Sequence, residues 1–336
     1  MSVAPCLAGL GLALATVGVP ARGADNPAAP PAAPAPDAAA SAAAAPATAP
    51  AEELSTIVVE GLEPRFVAPT RRDRIGRIWA PVMINGRGPF RLVFDTGATR
   101  SGVTANVATA LGLAPNESRP LRLRGVTGTA IVPTLHVDSF QVGDLLQEPL
   151  TMPVLADAFG GAEGVLGTEA MGDKRVRIEF RRDRITITRS HNERAAPGFI
   201  TIPLDRSRGR FPVVDAYMGN VPIKAIIDTG GQVTIGNLAL RDALARRRHD
   251  KPSVDEIVGA TLEVQEGEGR TAPAIQIGDI RIRSAHVTFG DMHIFHYWDL
   301  DDQPALLIGM DAIGLLDTLI IDYRRHELQL RLADSG

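Results

Sequence analysis

The sequence predicts an all-β fold of two related lobes with short helices and a cleft between them, and three observations carry that expectation. The 336 residues are 45% apolar but 4% aromatic, with 33 Gly and 25 Pro, a mix that suits short strands and turns better than a helical bundle. An apolar run ending in Asp-Thr-Gly occurs twice, as Leu92-Val93-Phe94-Asp95-Thr96-Gly97 and Ala225-Ile226-Ile227-Asp228-Thr229-Gly230. Each run has a downstream partner of two apolar residues and a glycine, Val165-Leu166-Gly167 and Leu307-Ile308-Gly309, 72 and 81 residues beyond its aspartate. A strand that enters a core does not end on a carboxylate unless the charge has a task. Two such strands in one chain read as two half-sites meant to meet.

Each Asp-Thr-Gly turn resembles the active-site turn of the aspartic proteases, nearest to the retropepsin-like branch, in which two such aspartates face one another. The resemblance implies a bilobal aspartic protease fold of two pseudo-symmetric retropepsin-like β-barrel lobes. It covers about residues 75 to 333. The match between the halves continues past the second glycine: Gly167-Thr-Glu-Ala-Met-Gly172 parallels Gly309-Met-Asp-Ala-Ile-Gly314, and Glu179-Phe180-Arg-Arg parallels Asp322-Tyr323-Arg-Arg. This reads as an internal duplication.

In chain order, residues 7–19 form an apolar segment followed by small residues, which predicts a signal peptide over 1–23, atypical in having no basic front end. Export to the periplasm or beyond follows. Residues 24–53 are an Ala/Pro-rich linker, with 23 Ala or Pro among residues 24–51, extended and unable to form a core. The N-terminal lobe is expected over 54–190, opening with a strand from Leu54. Arg71, Arg72, Arg74 and Arg77, interrupted by Asp73, read as a solvated surface. A strand and an Asn85-Gly86 turn lead into the Asp95 strand, and Ala105 to Leu113 reads as a helix closed by Gly112. Residues 121–143 read as a hairpin turning at Gly125-Val-Thr-Gly128, and Val176 to Thr188 as two strands.

The C-terminal lobe, 199–333, replays this order after a polar loop at 191–198. A helix is expected from Asn237 to Arg248, ending in the exposed run Arg246, Arg247 and Arg248, where cations suit the macrodipole. Residues 257–277 predict a second hairpin with Gly267 and Gly269 near its tip. The stretch Met292 to Asp302 is the extra length of this lobe, and its Tyr297 and Trp298 read as a cleft edge offered to a substrate side chain. Its His293, His296 and acids match no recognised metal-ligand spacing.

The chemistry follows from the carboxylates. Two carboxyl groups a few ångströms apart cannot both ionise, so one keeps a proton while the other is anionic. Such a pair activates a water and protonates the carbonyl it attacks, with no covalent intermediate. The resemblance makes Asp95 and Asp228 the catalytic pair and gives Thr96 and Thr229 a bracing role across the lobe interface. Gly97 and Gly230 let backbone amides approach the carboxylates. It further implies that the hairpin residues Gly125, Thr127 and Gly128, with Gly267 and Gly269, contact substrate as flaps.

The residue after each glycine is Ala98 or Gly231, where pepsins carry a hydroxyl that donates to the carboxylate. Losing that donor raises the pair's pKa and predicts a mildly acidic to neutral optimum. The expected activity is an aspartic-type endopeptidase acting on a peptide or protein held in extended conformation, with no cofactor and no metal. With both half-sites in one chain, a monomer suffices. The rivals are a peptide-binding module that uses the same cleft without cleavage, and a dimer in which like lobes pair between chains. A net charge of −4 recommends no nucleic acid partner, and the single cysteine, Cys6, excludes thiol chemistry from the folded part.

Overall fold

The computed structural model describes residues 77–333 except 144, 148, 158–160, 192 and 245–251, together with the backbone of the strands Ala13–Thr16, Arg65–Pro69 and Arg71–Arg72. The Ala/Pro-rich linker, the strand expected from Leu54, Arg74 and the run Arg246, Arg247 and Arg248 lie outside the described residues, as does the leader save Ala13–Thr16.

The tight turn at Asn85-Gly86, both residues at positive φ (50° and 70°), folds the strand Ile78–Ile84 back against Arg87–Phe94. Their burial alternates along the first strand and becomes continuous toward Phe94, as befits a strand that runs from a lobe's surface into its centre. The second half does the same with Val213–Met218 and Val221–Ile227.

Around each hairpin grows a mixed sheet, and the two sheets have nine strands in the same order. In the first, the order runs Leu145–Gln147, Phe140–Val142, Ile78–Ile84, Arg87–Phe94, Gly164–Leu166, Gly102–Thr104, Leu150–Leu155, Thr129–Val137, Asn116–Arg124. In the second it runs Ile280–Ile282, Ile275–Ile277, Val213–Met218, Val221–Ile227, Ala305–Ile308, Ile235–Gly236, His286–Phe289, Val264–Thr271, Ser253–Gly259. Ala13–Thr16 lies beside Ser253–Gly259 at the edge of the latter. The parallel and antiparallel pairings match as well: the short strand that ends in the downstream apolar pair lies parallel to the aspartate strand in each half. The fold is therefore all-β and two-lobed.

Two short helices follow the aspartate turns. Ala105–Leu111 stops at Gly112, which takes the left-handed conformation (φ 71°) that a side chain disfavours. Leu238–Leu244 starts behind Asn237, whose Oδ1 accepts from Leu240 N at 2.9 Å while its Nδ2 donates to Leu300 O and Gln303 O at 2.7 Å each.

The boundaries expected at 190 and 199 do not divide the sheets. A third, six-stranded sheet joins the halves in the order Ile200–Pro203, Glu327–Leu332, Leu316–Asp322, Lys174–Glu179, Arg184–Arg189, Arg65–Pro69. At its centre Val176 pairs with Ile321 and Ile178 with Leu319, one residue from each half, all buried. Buried carboxylates flank this seam and are saturated with donors. Asp322 accepts from Ser190 Oγ (2.6 Å), Arg325 N (3.0 Å) and Arg175 Nη1 (3.2 Å). Glu179 is met by Arg184 (2.6 Å), Arg177 and Arg182 (3.4 Å each).

Removing the Asp322 carboxylate strands these donors in the seam. Asp322→Ala is expected to lose about 3 kcal/mol of stability, read by denaturant titration, whereas an exposed control such as Asp215→Ala loses little.

Candidate active site

The aspartate strands end side by side because a second strand threads past each turn. Asp95 N donates to Leu166 O and Asp228 N to Ile308 O, both at 3.0 Å. Immediately beyond, Thr168 N donates to Ala98 O (2.9 Å) and Met310 N to Gly231 O (2.9 Å), so each turn is closed from below by the apolar-apolar-glycine segment.

Across the interface the two threonines brace each other. Thr96 Oγ1 donates to Ile227 O (2.6 Å) and accepts from Thr229 N (3.0 Å); Thr229 Oγ1 donates to Phe94 O (2.7 Å) and accepts from Thr96 N (3.1 Å). Each hydroxyl uses its proton and a lone pair on the opposite strand, leaving no orphaned donor in a fully buried place.

This frame fixes the carboxyl groups. Gly97 N donates to Asp95 Oδ1 at 2.7 Å and Gly230 N to Asp228 Oδ1 at 2.9 Å. A Cβ on Gly230 would overlap the Asp95 carboxyl carbon, so glycine there is a requirement of close approach. Both aspartates are 0% exposed, and among the described residues the outer oxygen Oδ2 of each meets no donor from outside the pair.

Burial, then the charge of Asp228, then a hydrogen bond between the two raise Asp95 well above the ordinary carboxyl range. Burial pushes Asp228 up to about 6, opposed by hydrogen bonds from Asp95 and from the Gly230 and Gly231 amides. The direction agrees with the expectation drawn from Ala98 and Gly231, but desolvation is the leading cause rather than the missing hydroxyls. Two further groups act here that the sequence reading missed. Arg77, read as solvated surface, is 0% exposed, and its charge lowers both carboxyls. Tyr323 has a buried hydroxyl raised by burial and by the Asp95 charge.

The hairpins behave differently from one another in sequence but meet in space. The first runs Asn116–Arg124 to Thr129–Val137 and turns where Gly125 N donates to Gly128 O at 2.8 Å. The second runs Ser253–Gly259 to Val264–Thr271 and turns at 260–263, with Leu262 at φ 63°. Gly267 and Gly269, expected near its tip, lie instead within the returning strand opposite Asp255 and Ser253. They serve close packing. A Cβ on Gly267 would stand 2.5 Å from Thr288 Cγ2, and one on Gly269 would overlap the Asp255 carboxylate, which accepts from Thr288, His286 and Ser253.

The two tips touch. Thr127 Oγ1 lies 3.5 Å from Thr261 Oγ1, and Gly128 leaves room for the Glu263 carboxylate. Each tip also buries a residue in the opposite lobe: Val126 among Ile257, Met292, Ile294 and Phe295, and Ala260 among Val93, Ala98, Leu123 and Val165.

The stretch Met292 to Asp302 serves the first hairpin rather than the solvent. It forms the short helix His293–Tyr297; Ile294 N donates to Val126 O at 3.2 Å, and Arg124 lies 4.3 Å over the Tyr297 ring. Trp298, expected at the cleft edge, is 8% exposed and packs on Phe211 at 4.9 Å between ring centroids. His296 sits between Asp291 (2.6 Å) and Asp301 (3.0 Å), and among the described residues no group of three or more His, Cys, Asp or Glu is arranged to hold a metal ion.

Thr96→Val removes a donor to Ile227 O and an acceptor for Thr229 N while keeping the shape, so it is expected to cost about 2–4 kcal/mol in denaturant titration. Thr96→Ser retains most of that.

A family model described as aspartyl protease matches residues 80–170 and 214–312, together more than half of the chain. Among solved structures, a retropepsin-like aspartic protease from Rickettsia conorii is 19% identical, with a match covering 38% of this chain and 91% of that one at a TM-score of 0.29. No curated protein matches. The matched segments each contain one aspartate turn and the apolar-apolar-glycine strand behind it, and the chain belongs to the aspartyl protease family.

Proposed function

We propose that the chain is an aspartic endopeptidase in which Asp95 and Asp228 share one proton and activate one water. The observation that carries this reading is the pair of buried carboxyl groups held together by Gly97, Gly230 and the two threonines, their outer oxygens meeting no donor from outside the pair among the described residues. One carboxylate takes a proton from the water as it attacks the scissile carbonyl, and the other donates to the oxygen on which charge develops. The base and acid roles belong to the pair. The substrate lies extended in the cleft between the lobes, under the hairpins that carry Gly125, Thr127 and Gly128, and pairs with their edges as an added strand.

In this reading one chain forms a complete site and acts as a monomer, the two halves arose by duplication, and the leader and linker export and tether the enzyme. Among the described residues no helix is long and apolar enough to cross a membrane.

The test is cleavage of an unfolded protein from pH 3 to 8 by the wild type, Asp95→Asn and Asp228→Asn. Wild type is expected to cut and each variant to be silent, with an optimum near neutrality because the pair begins to ionise at about 6. A wild type that retains peptide but never cuts it would make the cleft a binding module. Stability gives an independent sign. The folded state holds the Asp228 proton up to about 6 while the unfolded chain releases it near its ordinary value, so stability falls as pH rises through that window. Asp228→Asn should therefore melt higher than wild type at pH 7 and equally at pH 3.

With the pair fully buried, substrate must part the hairpins. In a chain with Cys6→Ser, the double substitution Thr127→Cys and Thr261→Cys is expected to form a disulfide that abolishes cleavage until it is reduced. Undiminished activity of the oxidised form would show that the tips need not separate.

A further inference from the structure

The symmetry of the strands around the two aspartates is broken in charge. Trp79 pairs with Val93 and Ala80 with Leu92, and continuing that register places Arg77 across from Asp95. Strand alternation sets both on the face that Trp79 and Val93 share. In the other half Val213 pairs with Ile226 and Ile227 N donates to Pro212 O at 3.0 Å, so the same count puts Phe211 across from Asp228. Phe211 packs on Trp298. The register position across from one aspartate thus holds an arginine where the corresponding position in the other half holds an aromatic residue.

Arg77 is 0% exposed, and a guanidinium does not give up its proton inside a protein. Its charge is therefore permanent, and it sits beside the one place in the core where the proposed chemistry needs a negative charge. A pair sharing one proton carries a net charge of −1. In a dry site a lone anion takes up a proton rather than stay unbalanced, and a doubly protonated pair has no base with which to activate water.

The other ionisable groups nearby do not supply the balance. Tyr323, raised by its surroundings, stays neutral. Arg210, which faces Tyr323, donates from Nη1 to Glu169 O at 2.8 Å and Thr168 O at 3.4 Å. Glu169 is a further buried carboxyl, held by Ser101 N at 2.8 Å.

We propose that Arg77 is a positioning residue that keeps the Asp95–Asp228 pair in its singly protonated form by balancing its charge. The inference rests on the reading of those aspartates as a catalytic pair. It assigns Arg77 no contact with substrate; Arg77 acts through the pair.

The test uses the full chain with Arg77→Met and Arg77→Lys. For kcat/KM, Arg77→Met should move the acid limb up by about one to three pH units and recover most of its activity above that limb, while Arg77→Lys should leave the limb near its wild-type place. A uniform loss at every pH, or an unmoved limb, would overturn the proposal. A second measurement needs no activity. At pH 7 Arg77→Met should lower the melting temperature in the wild-type background, yet leave it unchanged or raise it in Asp95→Asn/Asp228→Asn, where no anion remains to balance. An equal loss in both backgrounds, including failure of both to fold, would mean Arg77 only packs. Silence of the wild type toward peptides would sink the protease reading while leaving the melting comparison to decide on Arg77.

Discussion

Two like-charged groups brought together in a place without water set the terms for everything around them. Asp95 and Asp228 are buried completely, and burial alone pushes both toward the neutral form. Neither would remain there if the backbone could yield. The threonine brace forbids that: four hydrogen bonds between Thr96, Thr229 and the opposite strands tie the turns to each other rather than to their own lobes. The six-stranded sheet then fixes the lobes far from the site, so the brace does not have to hold them alone. Its central pairing of Val176 with Ile321 brings the two halves into one sheet, which makes the distance between carboxyls a property of the whole molecule.

Much of this was legible because it rests on local rules that repeat. An apolar run that ends on Asp-Thr-Gly can be recognised without coordinates, and its recurrence with a matching apolar-apolar-glycine strand implied two lobes and their common strand order. Asn85-Gly86 and Gly112 likewise announced their turn and helix end through the left-handed conformations they adopt.

Where the structure departs from the sequence expectations the cause is shared: residue type does not give exposure where pairing register decides it. Arg77 ends a run of arginines, yet the register shift between Val82 and Ile84 brings Trp79 opposite Val93 and so Arg77 opposite Asp95, which a simple count back from the Asn85-Gly86 turn would not give. Trp298 in a polar stretch looked like an offering to substrate, but its neighbours Met292, Ile294 and Phe295 form the helical face that seats it. Gly267 and Gly269 looked like a turn, because glycine marks turns and close approaches alike. Their position opposite Ser253 and Asp255 shows that approach, not turning, was needed. The exchange of Val126 and Ala260 between lobes carries no local signal at all, since it depends on two tips distant in sequence.

That exchange and the Arg77 asymmetry bear on the same problem from opposite sides. A tip that buries Val126 in the far lobe excludes water, which strengthens every electrostatic interaction beneath it and raises the cost of an unbalanced charge. A permanent cation at one of two corresponding positions, with an aromatic at the other, lets a closed and nearly symmetric frame hold a single negative charge. Tyr323 in place of Phe180 is a second departure from symmetry on the same side, beside Asp95. The symmetric part of the fold sets where the carboxyls sit and takes them out of water, and the charge of Arg77, which breaks that symmetry, opposes the resulting pull toward the neutral form.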